Sequence, residues 1–104
     1  INYSVERDWV KLSREITNDR GGFDHIIELG GAATLPLALR AVRPGGTISM
    51  IGVLSGLDLN ISAGLIVARQ VRLQGVTVGH RDSFEAMLRA MELHKIPENA
   101  AEFC

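Results

Sequence analysis

Few side chains in this sequence could do chemistry, and they are scattered. His25, His80 and His94 fall on three different predicted elements, whereas a zinc ion needs several such ligands converging with carboxylates or thiolates. No metal site is expected from them. Cys104 is the only cysteine, which excludes an intrachain disulfide and any site built from several thiolates, and at a chain end it reads as inert. Asp24 and Glu28 flank or sit in a predicted strand. Glu28 can approach a ligand-binding edge there, but it has no evident partner for acid–base work. Gly79-His80-Arg81 follows a strand and opens a helix, where a cation and backbone N–H groups can meet an anion, or where the chain simply makes a solvated turn.

The recurrent catalytic signatures fail. No two glycines stand two apart, so G-x-G-x-x-G is absent, and so are the Walker loop, H-E-x-x-H and G-x-S-x-G. Tyr3 is followed four residues later by Arg7 rather than by lysine. No catalytic residue is assigned.

The elements that must position whatever function remains centre on Leu39 to Gly56, LRAVRPGGTISMIGVLSG. Leu35, Ala38, Leu39 and Val42 keep the i, i+3, i+4, i+7 spacing of an apolar helix face, and Pro44-Gly45-Gly46 is expected to stop that helix near Arg43. Thr47 to Val53, TISMIGV, reads as a strand covered on both faces. Upstream, Val5, Trp9, Leu12 and Ile16 predict the packed face of a first helix. Trp9, in phase with three aliphatics, reads as core rather than as a ligand platform.

Phe23 to Leu29 predicts a short strand, turned by Gly30-Gly31 at the edge where open α/β sheets bind ligands. Those glycines suit close backbone approach to a ligand and a plain tight turn equally. Thr34 is the expected cap of the next helix. Asn60 or Ser62 is expected to cap a short helix to about Arg69 whose Leu65-Ile66-Val67-Ala68 is apolar all round, implying burial on more than one side. Val71 to Val78 predicts a further strand. Asp82 and Glu85 then form a capping-box pair opening a helix to about Lys95, with Phe84, Met87, Leu88 and Met91 as its buried stripe and a Glu85–Arg89 pair on its surface. With Ile1 to Tyr3 as a short first strand, the order is β, α repeated four times, the pattern of a parallel, doubly wound α/β sheet.

Length and composition agree with one small domain. The chain has 104 residues, 46% hydrophobic and 22% charged, with a formal net charge of −1. That charge gives no general pull toward nucleic acid or anionic lipid, and no apolar run approaches the roughly 18 residues of a membrane span. A cytoplasmic setting is the default expectation. The opening INYSVERDW reads as a chain entered in mid-fold.

FDHIIELGGAATLPLALRAVRPGGTISMIGVLSG followed by VRLQGVTVGHRDSFEAMLRAM resembles the distal half of the coenzyme domain of the medium-chain dehydrogenase/reductases, particularly the zinc-type alcohol dehydrogenases. The ordered set carries the likeness: D-x-x-x-E-x-x-G, L-x-x-x-R-P-G-G-x-I-x-x-I-G, L-x-G-x-x-x-G and F-E-A-M. The resemblance implies an incomplete Rossmann-like NAD(P)-binding sheet over residues 1–96, an irregular tail over 97–104, and the family strand order 3-2-1-4-5-6 with the cofactor at the switch point. It places Leu29, Gly30, Ile51, Gly52, Val53, Val76 and Val78 along the nicotinamide half of an NAD or NADP site. The glycine-rich loop, the ribose-reading acid and the zinc ligands would lie in parts of the family fold with no counterpart here, so this chain alone is expected to be inactive. Without neighbouring strands, the edge of Phe23 to Leu29 would seek pairing. Homo-oligomer formation through that edge, or through the apolar helix 61–69, is the partner expectation, with Ile1 to Tyr3 covering the edge as its alternative.

Two other readings compete. The helix leading through Pro44-Gly45-Gly46 into an apolar strand is also similar to the later part of S-adenosylmethionine-dependent methyltransferases, which usually finish with an antiparallel hairpin. The chain could also be a non-enzymatic self-association module.

Overall fold

The structure, a computed structural model, describes residues 4–97. The expected first strand at Ile1 to Tyr3 and the tail beyond Pro97 lie outside the described residues. Within them the order is α1 (Trp9–Thr17), a 3-10 turn (Asn18–Arg20), β1 (Phe23–Glu28), α2 (Leu35–Ala41), β2 (Val42–Met50), α3 (Ala63–Arg69), β3 (Arg72–Gly75) and α4 (Arg81–Leu93). The three strands form one parallel sheet in the order β1-β2-β3. This is the α/β, Rossmann-like arrangement expected from the alternation, with sequential strands as neighbours.

The core forms where α2 lies over the sheet. Leu35, Ala38, Leu39 and Val42, the four residues of the predicted helix face, are all buried and cluster with Ile48 and Val71, flanked by Ile26, Met50, Ile61, Ile66 and Leu73. Each fully buried Leu or Ile side chain there contributes about 1.5–3 kcal/mol relative to exposure. Ile48 and Ser49, adjacent and facing opposite ways, are both buried, so β2 is covered on both faces at its centre, as its apolar run requires.

Several expectations need correction. α2 ends at Ala41, and Val42 is already extended at φ −70° and ψ 143°, because Val42 pairs with Phe23 at the start of the sheet. The Pro44-Gly45-Gly46 segment therefore lies inside β2. There the register jumps from Phe23↔Val42 to His25↔Thr47, and Gly45 takes φ +73°, which suits glycine. β3 is also shorter than predicted, although the Val76 amide extends the ladder by donating to the Met50 carbonyl at 2.9 Å.

The first helix begins at Trp9, capped by the Asp8 side chain, which accepts from the Lys11 amide at 3.3 Å. Its buried residues are Val10 and Ser13, whereas Val5 and Ile16 are exposed and Trp9 and Leu12 half-buried. The small Ser13, its hydroxyl satisfied by the Val10 carbonyl at 2.6 Å, faces inward, and Arg14 reaches the Arg40 carbonyl at the end of α2. α3 is capped by Ser62, whose hydroxyl accepts from the Leu65 amide at 3.2 Å. Of its apolar run, Ile66 packs on the core while Leu65, Val67 and Ala68 are exposed, so burial on several sides is not realised.

In α4 the expected stripe is not buried: Phe84, Met87 and Leu88 are exposed and Met91 half-buried. The helix follows β3 without folding back over the α2 core. His80 is its N-cap, and Glu85 pairs with Arg81 at 2.8 Å in place of both the capping-box bond and the pair with Arg89.

Candidate functional site

The carboxyl ends of the three strands bring most of the predicted site residues to one edge. Beyond β1 lie Leu29 and Gly30; beyond β2 lie Ile51, Gly52 and Val53; beyond β3 lies Val76. Main-chain bonds lock these ends together. The Glu28 carbonyl accepts from the amides of Ile51 and Gly52 at 2.9 and 3.2 Å, and the Met50 carbonyl accepts from Val76. Gly52 has no room for a side chain, since a Cβ there would run into the Leu29 carbonyl. Gly31, at φ +86°, is similarly held against Val53, with a Cβ position 3.0 Å from its Cα.

Around this glycine-lined backbone stands an apolar rim. Leu29, Ile51, Val53 and Val76 are 53%, 39%, 50% and 41% exposed. Such a rim can take up a flat, partly apolar ring while main-chain groups meet its polar substituents. Val78 lies further along and is 87% exposed; the described contacts do not join it to the group.

The turn between β1 and α2 is built by residues whose role the motifs did not reveal. Glu28 is only 5% exposed, and its Oε1 accepts from the amides of Gly30 at 2.8 Å and Gly31 at 3.0 Å and from the Thr34 hydroxyl. Thr34 thus gives its hydroxyl to Glu28, and no side-chain cap of α2 forms. Ser55 closes the other side. Its amide and hydroxyl donate to the Gly30 carbonyl at 2.8 and 2.5 Å, and its hydroxyl oxygen accepts from the Ala33 amide at 2.9 Å. An acid three residues before the second glycine was the only sequence signal for Glu28, and Ser55 had none.

The other polar groups work elsewhere. His25 Nε2 lies 2.7 Å from Ser49 Oγ across β1 and β2. At the amino end of the sheet, Asp24 takes Arg43 and Arg20, each at 2.7 Å. The Arg43 hydrogen bond, aided by the charge of Arg20, holds the Asp24 carboxyl below the ordinary aspartate value despite some desolvation. Arg69 donates to the Val42 carbonyl with its Nη2 while its Nε is buried without a partner, and burial, with the nearby Arg14 charge, pulls its guanidinium below the ordinary arginine value. A cleft of ≈ 240 Å³ at the start of α4 is lined by Gly79, His80, Ser83, Phe84 and Met87, and His80 Nδ1 lies 4.0 Å from Asp82. Among the described residues no three His, Cys, Asp or Glu side chains gather as a metal site, and no helix is long and apolar enough to cross a membrane.

Comparison with known proteins gives this geometry a context. Residues 1–92 match the family described as zinc-binding dehydrogenase. A zinc-type alcohol dehydrogenase-like protein of Schizosaccharomyces pombe is 31% identical over 110 residues, an alignment covering 99% of this chain and 32% of that protein. Among solved structures, a Sinorhizobium meliloti protein assigned to the alcohol dehydrogenases superposes with a TM-score of 0.74 at 39% identity, covering 89% of this chain and 27% of its own. An NAD-dependent alcohol dehydrogenase superposes with a TM-score of 0.70 at 26% identity, covering 85% and 25%. The chain thus spans about a third of the curated relative and about a quarter of the two structures.

Proposed function

The chain belongs to the zinc-binding dehydrogenase family, and from that membership we propose that its carboxyl edge is the nicotinamide-facing side of an NAD(P) site serving an alcohol dehydrogenase-type oxidoreductase. The observation carrying this reading is the convergence of Leu29-Gly30, Ile51-Gly52-Val53 and Val76 on one open edge, with Gly52 packed against the Leu29 carbonyl. Val78 belongs to the proposal as the outer end of that edge.

The residues present suit the dinucleotide's nicotinamide half. The rim of Leu29, Ile51, Val53 and Val76, on strand ends held close together by Gly52 against the Leu29 carbonyl, suits a flat, partly apolar ring. Bound there, the dinucleotide supplies two-electron chemistry between an alcohol and a carbonyl. The chain's own part is to orient the ring through backbone groups and to keep one face of it out of water. The described residues do not fit zinc, since no ligand set gathers among them, and no step is assigned to it.

Titration of the chain with NAD(H) and NADP(H), followed by protein NMR, tests the reading. The amides of Gly30, Gly52 and Val76 are expected to shift; invariance of all three with both cofactors removes the cofactor assignment. The methyltransferase alternative loses its footing because β3 runs parallel to β2, where that reading calls for an antiparallel hairpin.

Self-association is the second part of the proposal. Within the described sheet β1 pairs only with β2, and an edge strand of this kind can pair with another copy; the exposed Leu65 and Val67 of α3 offer a second face. Sedimentation across a concentration series is expected to show reversible dimer formation, and a strictly monomeric chain at high concentration excludes it. A cytoplasmic setting completes the proposal, supported by a single cysteine.

A further inference from the structure

We propose that Glu28 is a positioning residue for the nicotinamide-facing edge, acting as a hydrogen-bond acceptor rather than as an acid or base. The proposal rests on the reading of that edge given above. Glu28 touches both halves of it. Its main-chain carbonyl takes the amides of Ile51 and Gly52, while its side-chain Oε1 takes the amides of Gly30 and Gly31 and the Thr34 hydroxyl. One buried residue therefore fixes where β1 stops, how the following turn is aimed, and where the end of β2 lies beside it.

Every described partner of that oxygen is a donor. A carboxylate accepting two main-chain N–H groups and a hydroxyl is held in one orientation, with the carboxyl group 5% exposed as part of its residue. It points back into the turn. A group so occupied does not transfer protons with a substrate; its action reaches the ligand through the Gly30 and Gly52 backbone. The close packing around it adds precision, because Gly30 is so near Thr34 that a Cβ there would run into the Thr34 hydroxyl. Loss of the acceptor leaves two amides of the turn without a partner, and a turn that re-aims to satisfy them with water moves Gly30 away from its place beside Gly52.

Three variants separate this role from its rivals. Glu28→Gln keeps an acceptor oxygen of the same reach, Glu28→Met keeps length without an acceptor, and Thr34→Val removes one donor while leaving Glu28 in place. NAD(H) affinity is measured by titration, and amide hydrogen exchange at Ile48 and Leu73 reports whether the sheet is intact. Expected is an affinity for Glu28→Gln within about threefold of the parent, a loss of about tenfold or more for Glu28→Met, and an intermediate loss for Thr34→Val, with sheet exchange unchanged in Gln and Val variants. Faster exchange at Gly30 and Gly31, confined to the turn, is the accompanying signature in Glu28→Met. If Met unfolds the chain, the Gln and Val pair decides: a Gln variant as weak as one lacking the turn's order, or a Val variant identical to the parent in both affinity and turn exchange, overturns the proposal. Parent-like affinity in Glu28→Met overturns it as well. Failure of the parent chain itself to bind either nicotinamide dinucleotide, with turn exchange still sensitive to Glu28, instead overturns the cofactor reading on which the proposal stands.

Discussion

Ser55 grips the Gly30 carbonyl with both its amide and its hydroxyl, at 2.8 and 2.5 Å, while its hydroxyl oxygen accepts the Ala33 amide. The loop after β2 is thereby fastened to the turn after β1. Ser55→Ala removes the hydroxyl bonds and keeps the amide bond. The expected result is a stability loss of about 1 kcal/mol in urea unfolding, with faster hydrogen exchange at Ala33. Unchanged exchange at Ala33 would mean that the loop does not hold the turn.

Gly52 is expected to tolerate no side chain. Gly52→Ala sets a methyl group against the Leu29 carbonyl, and relief requires β1 and β2 to separate at the candidate site. A loss of about 1–3 kcal/mol is expected, together with shifted amides at Leu29 and Ile51. Parent-like stability in thermal unfolding would contradict the close approach.

Asp24 ties a pH dependence to the amino end of the sheet. Its carboxyl titrates below the ordinary aspartate value because Arg43 donates to it and Arg20 adds charge. A depressed folded-state pKa stabilises the fold above the unfolded value, and that stabilisation fades as pH falls from the ordinary aspartate value through the folded one. The pair is exposed, so the effect is small and salt-sensitive. Arg43→Ala is expected to raise the Asp24 midpoint in a carboxyl-carbon NMR titration; an unmoved midpoint refutes the assignment to Arg43.

Ile48 and Leu93 make opposite predictions from similar chemistry. Ile48 is fully buried between α2 and the sheet, whereas Leu93 on α4 is 77% exposed. Ile48→Ala is expected to cost about 2–5 kcal/mol, and Leu93→Ala to stay within about 0.5 kcal/mol. Equal losses in denaturant unfolding would show that α4 is packed in solution.

The parallel order and the core face of α2 were legible in the sequence because periodicity reports which side chains share a face. Leu35, Ala38, Leu39 and Val42 are apolar, regularly spaced and buried together. The same reasoning misread α1 and α4, since periodicity gives a stripe but not the surface that meets it. In α1 the small Ser13 allows close packing that no hydropathy pattern signals. In α4 the stripe of Phe84, Met87 and Leu88 exists but has no cover among the described residues. The glycines of the candidate site were visible as turn formers. Of their anchors, Glu28 was placed near the ligand edge but without its partners, the Gly30 and Gly31 amides and the Thr34 hydroxyl, and Ser55 was not seen at all, because its hydrogen bonds to Gly30 and Ala33 join residues far apart in the chain.

The β1-β2-β3 order also fixes the dependence of one folding step on another. Parallel neighbours can pair only when the crossover between them closes as a loop, and the entropy of closure grows only logarithmically with loop length. The crossover through α2 spans 13 residues (29–41) and the one through α3 spans 21 (51–71), a difference of only about 0.4 kcal/mol in closure entropy, so neither pairing has much advantage from chain length. Their consequences differ. β3 has β2 as its partner in the described sheet, so it has no template until β2 is in place, whereas β1 and β2 can pair without β3. Lesions in β2 therefore cost both pairings and lesions in β3 cost one, which gives the last strand freedom to open while the earlier pair remains closed.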